Sequence, residues 1–404
     1  MEITKTATVR KIIYAVILVL ASLPLACGYV MEGGDILLWL ARIEEVKEQI
    51  LVGNIQFFPT RELTLEQNGQ FWALNSNLWL IIPSALRCLG LSVTAVYRIY
   101  MLVLNLIALI TAVMMFQELF DNEWVTLLGS LLYMTCPYRI YIFYDKANLG
   151  MAAAWTLIPL VLWGILKICR KSGTWKSTLV TAAAFAAVGY SDGILLLILT
   201  GVVVLAIIWY RKPAGLLPVM AGSILYLPGA LYWIKYLLTE QMASWCLPLS
   251  SIAHRGYAFG HFFSSWAYRE DCPGLGLALI AALLLLLWLA LIDKDIRVTK
   301  KYGLFITILC LLAVMSMNSF IWDYAQRIGA PILKVVSLIE TPGVCFGFVS
   351  LAASVLGAYG IECAAKQQKL FIKVGIPLIV AFSALGVCVY LCNTLTYYRV
   401  PMFL

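Results

Sequence analysis

The sequence predicts an all-α polytopic membrane protein, and three properties of the chain support that prediction. Hydrophobic residues make up 62% of its 404 residues. Only 12% are charged, which is about half the share found in soluble domains. The mean hydropathy is +0.90, and the apolar residues gather in stretches long enough to cross about 30 Å of hydrocarbon. Because a backbone in lipid has to satisfy its own hydrogen bonds, each stretch is expected to form a helix.

Eleven apolar segments are predicted to cross the membrane. They are residues 11–31, 75–91, 95–117, 149–169, 176–190, 192–210, 216–238, 274–292, 302–319, 343–361 and 371–392. The first segment is too long for the apolar part of a signal peptide and lacks a cleavage site, so we expect it to be retained. The chain is therefore predicted to be one integral membrane domain over 1–404, without a separate soluble domain.

Basic side chains set the predicted orientation. The loops richest in Lys and Arg are residues 170–176, 211–212, 294–301 and 366–373. Because cytoplasmic loops carry the excess of Lys and Arg, we predict a cytoplasmic N-terminus and an external C-terminus in a cell membrane. These loops also account for most of the net charge of +8, so no nucleic-acid partner is predicted. The predicted outer loops are residues 32–76, 239–273 and 319–342.

One apolar segment does not fit the alternation of basic loops. Trp124–Lys146 is apolar enough to cross, but a crossing there would place the basic loop at 170–176 outside. Pro137 also interrupts any helix through this segment. We therefore predict that Trp124–Lys146 is a re-entrant or broken hairpin that returns to the outer face.

The first outer loop contains a predicted amphipathic helix. Its apolar positions recur at helical spacing, at Ile36, Trp39, Ile43, Val46 and Ile50. The pair Gly53-Asn54 ends the helix, and Asp35 precedes it at the position of a helix cap. Asp35, Trp39 and Arg42 share one face at this spacing. We expect the apolar face of this helix, Ile36–Val52, to lie on the membrane and to hold Asp35 over the mouth of a cavity. The alternative is a helix that lies in the membrane interface, with Asp35 serving only as its cap.

The same stretch resembles the first outer loop of GT-C-type membrane glycosyltransferases, and the nearest branch is the bacterial YfhO-like proteins. The matching positions are Gly33, Asp35, Arg42, Ile43, Gly53 and the pair Phe58-Pro59. Trp39 departs from the family, which usually has His there. The resemblance implies a GT-C-like bundle of about 11 transmembrane helices with an interfacial helix in this loop.

A second stretch, Tyr133–Pro159, resembles another YfhO-like motif. The matching positions are Pro137, Tyr138, Arg139, Lys146, Leu149, Gly150 and Pro159. Met151 stands where relatives usually have Glu. The resemblance implies that Arg139 and Lys146 bind the donor phosphate together with Arg42. Alternatively, Arg139 and Lys146 extend to lipid headgroups.

Further polar residues are candidates for an acceptor site or a secondary site. They are Asp145, Asn148, Asp192, His261 and Glu340. For Asp145 the alternative is a local ion pair with Lys146, and for Asp192 it is an acid in an outer loop. Glu340 fits a late motif of the family, although Val344 occupies the position of its Arg.

The resemblance implies a glycosyltransferase that moves a sugar from a polyprenyl-phosphate donor to a cell-envelope acceptor on the outer face. Asp35 would be the catalytic base, and the partners would be the lipid-linked sugar, membrane lipids and a cell-surface glycan. No cofactor or metal site is predicted, although a divalent cation could assist. The first alternative is a catalytically degenerate relative that binds lipid-linked sugar or supports another membrane enzyme. A transporter or flippase is the third reading, but no internal repeat favours it.

Overall fold

The protein is described by a computed structural model that covers residues 2–26, 36–58, 76–170, 173–238, 256–263, 273–292, 300–320, 322, 342–367 and 369–397. Within those ranges the chain forms helices and no strand. The α-helices are α1 (Glu2–Ser22), α2 (Ile36–Val52), α3 (Ile81–Cys88), α4 (Val93–Leu119), α5 (Glu123–Met134), α6 (Pro137–Ile140), α7 (Leu149–Arg170), α8 (Trp175–Ser191), α9 (Gly193–Tyr210), α10 (Leu216–Leu238), α11 (Leu277–Ile292), α12 (Lys300–Ser316), α13 (Phe346–Gln367) and α14 (Lys369–Tyr397).

Seven helices in the described part of the chain are long and apolar enough to cross a membrane. They belong to α1, α4, α7, α9, α10, α13 and α14. Two more apolar helices, Leu277–Ile292 and Tyr302–Ser316, are shorter. The predicted class, an all-α multi-pass membrane protein, is thus confirmed, whereas the number of eleven crossings stays a prediction.

The centre of the bundle is formed by α7 and α13, which are almost completely buried. Small residues let neighbouring helices approach α7 closely. A Cβ atom at Gly164 would lie 1.7 Å from Oγ1 of Thr181 on α8, so only glycine permits this contact. Close approach at small residues is the usual way in which membrane helices associate, because lipid chains are as apolar as the helices themselves.

Contacts between helix termini define two ends of the bundle. At one end Arg10 of α1 pairs with Glu123 at the start of α5, and Arg170 of α7 donates to the carbonyl of Glu118 on α4. At the other end the loop before α3 is bonded to Tyr190 at the end of α8. We call these the inner end and the outer end, after the predicted orientation.

The predicted crossing at 75–91 is wrong. The structure has a 3₁₀ turn at Asn77–Leu80 followed by α3. Together they extend for about 18 Å at 1.5 Å per residue, which is too short for a membrane. This segment packs along α2, because Ser84 Oγ of α3 donates to the Ile43 carbonyl of α2 over 2.8 Å, while Ile82 and Leu89 stay exposed.

The predicted hairpin at Trp124–Lys146 is also wrong. The chain runs through α5, a break at Thr135–Cys136, α6 and a π-helical turn at Tyr141–Asp145. It starts beside Arg10 of α1, and near its end Tyr144 donates to the Ala21 carbonyl, also of α1, over 2.6 Å. The segment therefore runs along α1 in the same direction. Pro137 interrupts the helix without reversing the chain, because proline fits the first turn of the next helix.

Candidate functional site

The helix predicted in the first outer loop is present as α2, with the predicted bounds and the predicted face. The apolar residues Ile36, Trp39, Ile43 and Val46 are buried. We expected this face to lie on the membrane, and that expectation is wrong because the face packs against the protein, including α3. Asp35, the predicted base, and Glu340 lie outside the described residues.

Arg42 is buried on the same face of α2, with only 2% of its surface exposed. Its guanidinium lies 4.8 Å from the centre of the Trp39 ring, and its Nη2 donates to Oδ1 of Asn77 over 2.5 Å. Burial lowers the pKa of Arg42 to about 10, while the nearby Glu45 and Tyr232 act in the opposite direction. Arg42 therefore keeps its positive charge at neutral pH.

Backbone and side-chain contacts hold Asn77, the partner of Arg42, in place. Its backbone N–H donates to the Phe57 carbonyl over 2.7 Å, and its Nδ2 donates to the Gln56 carbonyl over 3.1 Å. The next residue along, Phe58, stacks on Tyr232 of α10 with ring centres 4.1 Å apart. Arg42 thus lies beneath a short loop segment and an aromatic pair at the outer end.

Arg139 is also buried, with 2% exposure, but it lies between helices of the bundle. Its Nη2 donates to Oδ1 of Asn105 on α4 over 2.6 Å, and its Nη1 donates to the Met134 carbonyl over 3.2 Å. Its guanidinium stands 3.9 Å from the centre of the Phe143 ring. Among the described residues no carboxylate forms an ion pair with it.

Asn105 connects Arg139 to α1. Its Nδ2 donates to the Tyr144 hydroxyl over 2.6 Å and to Ser22 Oγ over 3.0 Å. Tyr144 in turn donates to the Ala21 carbonyl. This network joins α1, α4 and the segment after α6, so Arg139 belongs to a set of hydrogen bonds that holds three elements of the bundle together.

The segment between α6 and α7 has an unusual backbone. The π-helical turn Tyr141–Asp145 is followed by Ala147, which is buried and has a φ of +47°. A non-glycine residue in this region is strained. Asp145 is buried and Lys146 is half-buried. Asn148 is also buried, and its Oδ1 accepts a hydrogen bond from the backbone N–H of Met151 in the first turn of α7.

Asp192 and His261 lie at other places in the structure. Asp192 is buried between α8 and α9 and caps α9, because its Oδ1 accepts a hydrogen bond from the backbone N–H of Leu195 over 2.9 Å. His261 is half-buried in a 3₁₀ turn, Phe259–Phe263. A role in acceptor binding stays a prediction for both residues.

The two buried arginines among the predicted site residues thus belong to two separate centres. Arg42 lies with Asn77 and Tyr232 at the outer end, whereas Arg139 lies inside the bundle with Asn105. The sequence analysis overlooked both asparagines. Asn105 had a recognisable signal, because it is a polar residue in the middle of a long apolar helix and such residues need partners inside the bundle. Asn77 had no such signal, since it lies at a loop boundary.

Comparisons with known proteins do not assign this chain to a group. No protein-family model matches the sequence, and no curated protein matches it. In the described ranges no cluster of three or more His, Cys, Asp or Glu side chains is arranged to hold a metal ion.

Proposed function

We propose that the chain is a membrane glycosyltransferase of GT-C type, which moves a sugar from a polyprenyl-phosphate donor to a cell-envelope acceptor at the outer end. The observation that carries the proposal is Arg42: a buried, charged guanidinium on the helix that directly follows Asp35. The guanidinium of Arg42 lies over the ring of Trp39, which is about one turn closer to the start of the helix. Since helical side chains point toward the helix N-terminus, this direction brings the charge toward the end of α2 next to Asp35.

The chemistry needs a base and a cation, and α2 supplies both residue types. An oxygen of the acceptor attacks the anomeric carbon as the bond from that carbon to the phosphate oxygen breaks. Asp35 takes the proton of the acceptor hydroxyl. The polyprenyl phosphate leaves with the electron pair, and Arg42 stabilises the negative charge that develops on it. Lys146, half-buried next to the strained turn, is a second candidate cation for the lipid phosphate.

The two arginines differ in how a phosphate would reach them. Arg42 is covered by Asn77 and the loop at 54–58, so uncovering it requires movement of a loop. Arg139 lies among α1, α4 and α5, so uncovering it requires separation of transmembrane elements. We therefore assign donor binding to Arg42 and a structural task to Arg139.

The proposal includes the finer topology. We propose eleven crossings, with the N-terminus inside and the C-terminus outside. The segment from α5 to Asp145 replaces the rejected crossing at 75–91, so the number of crossings and the sides of the basic loops are unchanged. Three contacts support this arrangement: the starts of α1 and α5 meet at the inner end, the ends of α4 and α7 meet there too, and the end of α8 lies at the outer end.

The test is Asp35→Asn in the full-length protein in liposomes, supplied with a panel of synthetic polyprenyl-phosphate hexoses and an envelope-glycan acceptor. Asn caps a helix as well as Asp does, so stability should hardly change. Loss of the base should reduce sugar transfer by about 10²–10⁴-fold. Glu48→Gln, which removes an exposed carboxylate from the same helix, is the matched control and should transfer at the parental rate.

Parental transfer by Asp35→Asn would refute the assignment of the base. Absence of transfer in the parent with every donor would favour the second reading, a degenerate relative that binds lipid-linked sugar without turning it over. In that case binding of polyprenyl phosphate, measured directly, should persist and should still depend on Arg42.

A further inference from the structure

A group of cations lies at the inner end of the bundle, where α7 ends and where α9 turns into α10. Lys167 and Arg170 are three residues apart in the last turn of α7, so they share one face of that helix. Arg211 and Lys212 form the turn between α9 and α10. We call Lys167, Arg170, Arg211 and Lys212 the inner basic cluster.

Close packing of the backbone brings the two halves of the inner basic cluster together. An added Cβ atom at Gly215 would lie 3.2 Å from Cys169 Sγ, so the turn between α9 and α10 rests against the end of α7. The backbone N–H of Gly215 donates to the Lys212 carbonyl over 3.1 Å, which closes that turn. Arg170 also lies close enough to Tyr210, the last residue of α9, for the two side chains to interact electrostatically.

The inner basic cluster has no counter-charge among the described residues. None of its four side chains forms an ion pair with a described carboxylate. Glu123 and Glu362 lie at the same end of the bundle, but both are paired with other cations. Arg170 donates to a neutral group, a backbone carbonyl of α4. Because like charges held side by side repel one another, an anion from outside the protein would stabilise the cluster.

Two features beside these charges indicate that the anion is bound at a defined place. The Tyr210 hydroxyl is buried next to Arg170 and makes no hydrogen bond to a described residue. Buried hydroxyls almost always have a partner, so this one is available to a ligand. Arg211 has a φ of +54°, at a position where helices usually end in glycine because a side chain is strained there. The chain has a guanidinium at this turn in spite of the strain.

The surroundings of the inner basic cluster favour a phospholipid over a soluble anion. Lys167 Nζ lies 4.8 Å from the centre of the Trp163 ring, and tryptophan is typical of the headgroup region of a membrane. Ile208 and Leu217, on the two helices that flank the Arg211 turn, are largely exposed. Acyl chains can pack along these two residues while the headgroup meets the cations, whereas a soluble anion would contact the cations alone.

We propose that the inner basic cluster binds the phosphate of an anionic phospholipid, with the Tyr210 hydroxyl donating a hydrogen bond to that phosphate. The acyl chains of the lipid lie along Ile208 and Leu217. Basic pockets between transmembrane helices are suited to such headgroups. The site is at the opposite end of the bundle from Arg42, so it is independent of the proposed function. One lipid in this place joins the ends of α7, α9 and α10.

The test is native mass spectrometry of the full-length protein in a neutral detergent, titrated with phosphatidylglycerol. The parent should bind the first phosphatidylglycerol at least about tenfold more tightly than phosphatidylcholine with the same acyl chains. Arg211→Gly removes one charge and suits the backbone at that turn, and it should weaken binding about fivefold. Tyr210→Phe removes only the hydroxyl and should also weaken binding about fivefold.

Each variant has a matched control away from the inner basic cluster. Lys235→Gln removes an exposed cation near the other end of α10. Tyr100→Phe, on α4, removes another buried hydroxyl that has no hydrogen-bond partner among the described residues. Both controls should bind phosphatidylglycerol like the parent. In detergent without lipid all four variants should unfold like the parent, so a loss of affinity is not a loss of folding.

Three results would overturn the proposal. The first is equal affinity of the parent for phosphatidylglycerol and phosphatidylcholine. The second is an affinity of Arg211→Gly or Tyr210→Phe that equals that of its control. The third is displacement of phosphatidylglycerol by an equal concentration of glycerophosphoglycerol, its headgroup without acyl chains, because a site that binds both equally takes a soluble phosphodiester and not a lipid.

Discussion

Arg42 and Arg139 have closely similar surroundings. Each residue exposes only 2% of its surface. Each donates to a side-chain amide oxygen, that of Asn77 over 2.5 Å and that of Asn105 over 2.6 Å. Each also stands over an aromatic ring. By local chemistry alone the two residues are equal candidates for a phosphate site.

They differ in what their networks connect. The network of Arg139 joins α1, α4 and the segment after α6, all of them inside the bundle. The network of Arg42 joins α2, a loop and a 3₁₀ turn at the outer end. Polar groups inside a membrane are costly unless they are paired, so the first network stabilises the arrangement of helices. The second can open without moving a transmembrane helix.

Under the proposed function, a buried arginine does not by itself mark a substrate site. The elements that cover the guanidinium determine whether a ligand can reach it. The sequence pattern that predicted both arginines as phosphate ligands does not contain the tertiary contacts that distinguish them.

The largest expected effect on stability is that of Arg139→Ala. The change leaves Oδ1 of Asn105 without its charged donor and creates a cavity among packed helices. Loss of a hydrogen bond to a charged group costs about 1.5–3 kcal/mol, and the cavity adds to this. We expect the free energy of unfolding, measured by titration with a denaturing detergent in mixed micelles, to fall by about 3 kcal/mol.

Lys212→Ala is the control for that measurement, because it removes an exposed cation at the inner end of α9. It should change the free energy of unfolding by less than about 0.5 kcal/mol. An Arg139→Ala variant as stable as Lys212→Ala would remove the structural role that we assign to Arg139.

A smaller effect is expected at the contact between α2 and α3. Glu44 accepts hydrogen bonds from Arg87 and Lys47, and the bond from Arg87 is the main reason why the pKa of Glu44 lies below its usual value. Glu44 is partly exposed, so Glu44→Gln should lower stability by less than about 1 kcal/mol. Sugar transfer should be unaffected, because the contact between Glu44 and Arg87 only holds α2 against α3.

The pH dependence gives the same contact a second test. A carboxylate with a depressed pKa in the folded state contributes stability above its unfolded pKa of about 4.3 and loses it as the pH falls through the folded pKa. The difference in unfolding free energy between the parent and Glu44→Gln should therefore be present at pH 6 and shrink toward pH 3. A difference that grows on acidification would contradict the assignment.

The class of the protein and most helix positions could be predicted from hydropathy, but two segments could not. The segment at 75–91 forms a short helix along α2, and an apolar run does not reveal whether it crosses the membrane. The segment at 124–146 contains Pro137, which interrupts a helix without fixing the direction of the chain. Removing the crossing at 75–91 and adding one at 124–146 leaves every basic loop on its predicted side. The distribution of Lys and Arg therefore could not reveal either error.

The face that carries Trp39 and Arg42 could be predicted because helical periodicity fixes which side chains are neighbours. The partner asparagines could not be predicted in the same way. Asn77 meets Arg42 across 35 positions of the chain, and Asn105 meets Arg139 across 34. Such contacts arise from tertiary structure, which no local pattern in a single sequence specifies.

The two asparagines provide the most direct test of the difference between the two arginines. Asn77→Ala and Asn105→Ala should each be measured for unfolding free energy and for sugar transfer per folded molecule. Asn77→Ala should lose about tenfold in transfer, since a misplaced charge stabilises the leaving phosphate poorly, and only about 1 kcal/mol in stability. Asn105→Ala should lose about 2–3 kcal/mol in stability and keep nearly parental transfer per folded molecule. Equal losses of transfer in the two variants, or parental transfer by Asn77→Ala, would contradict the account.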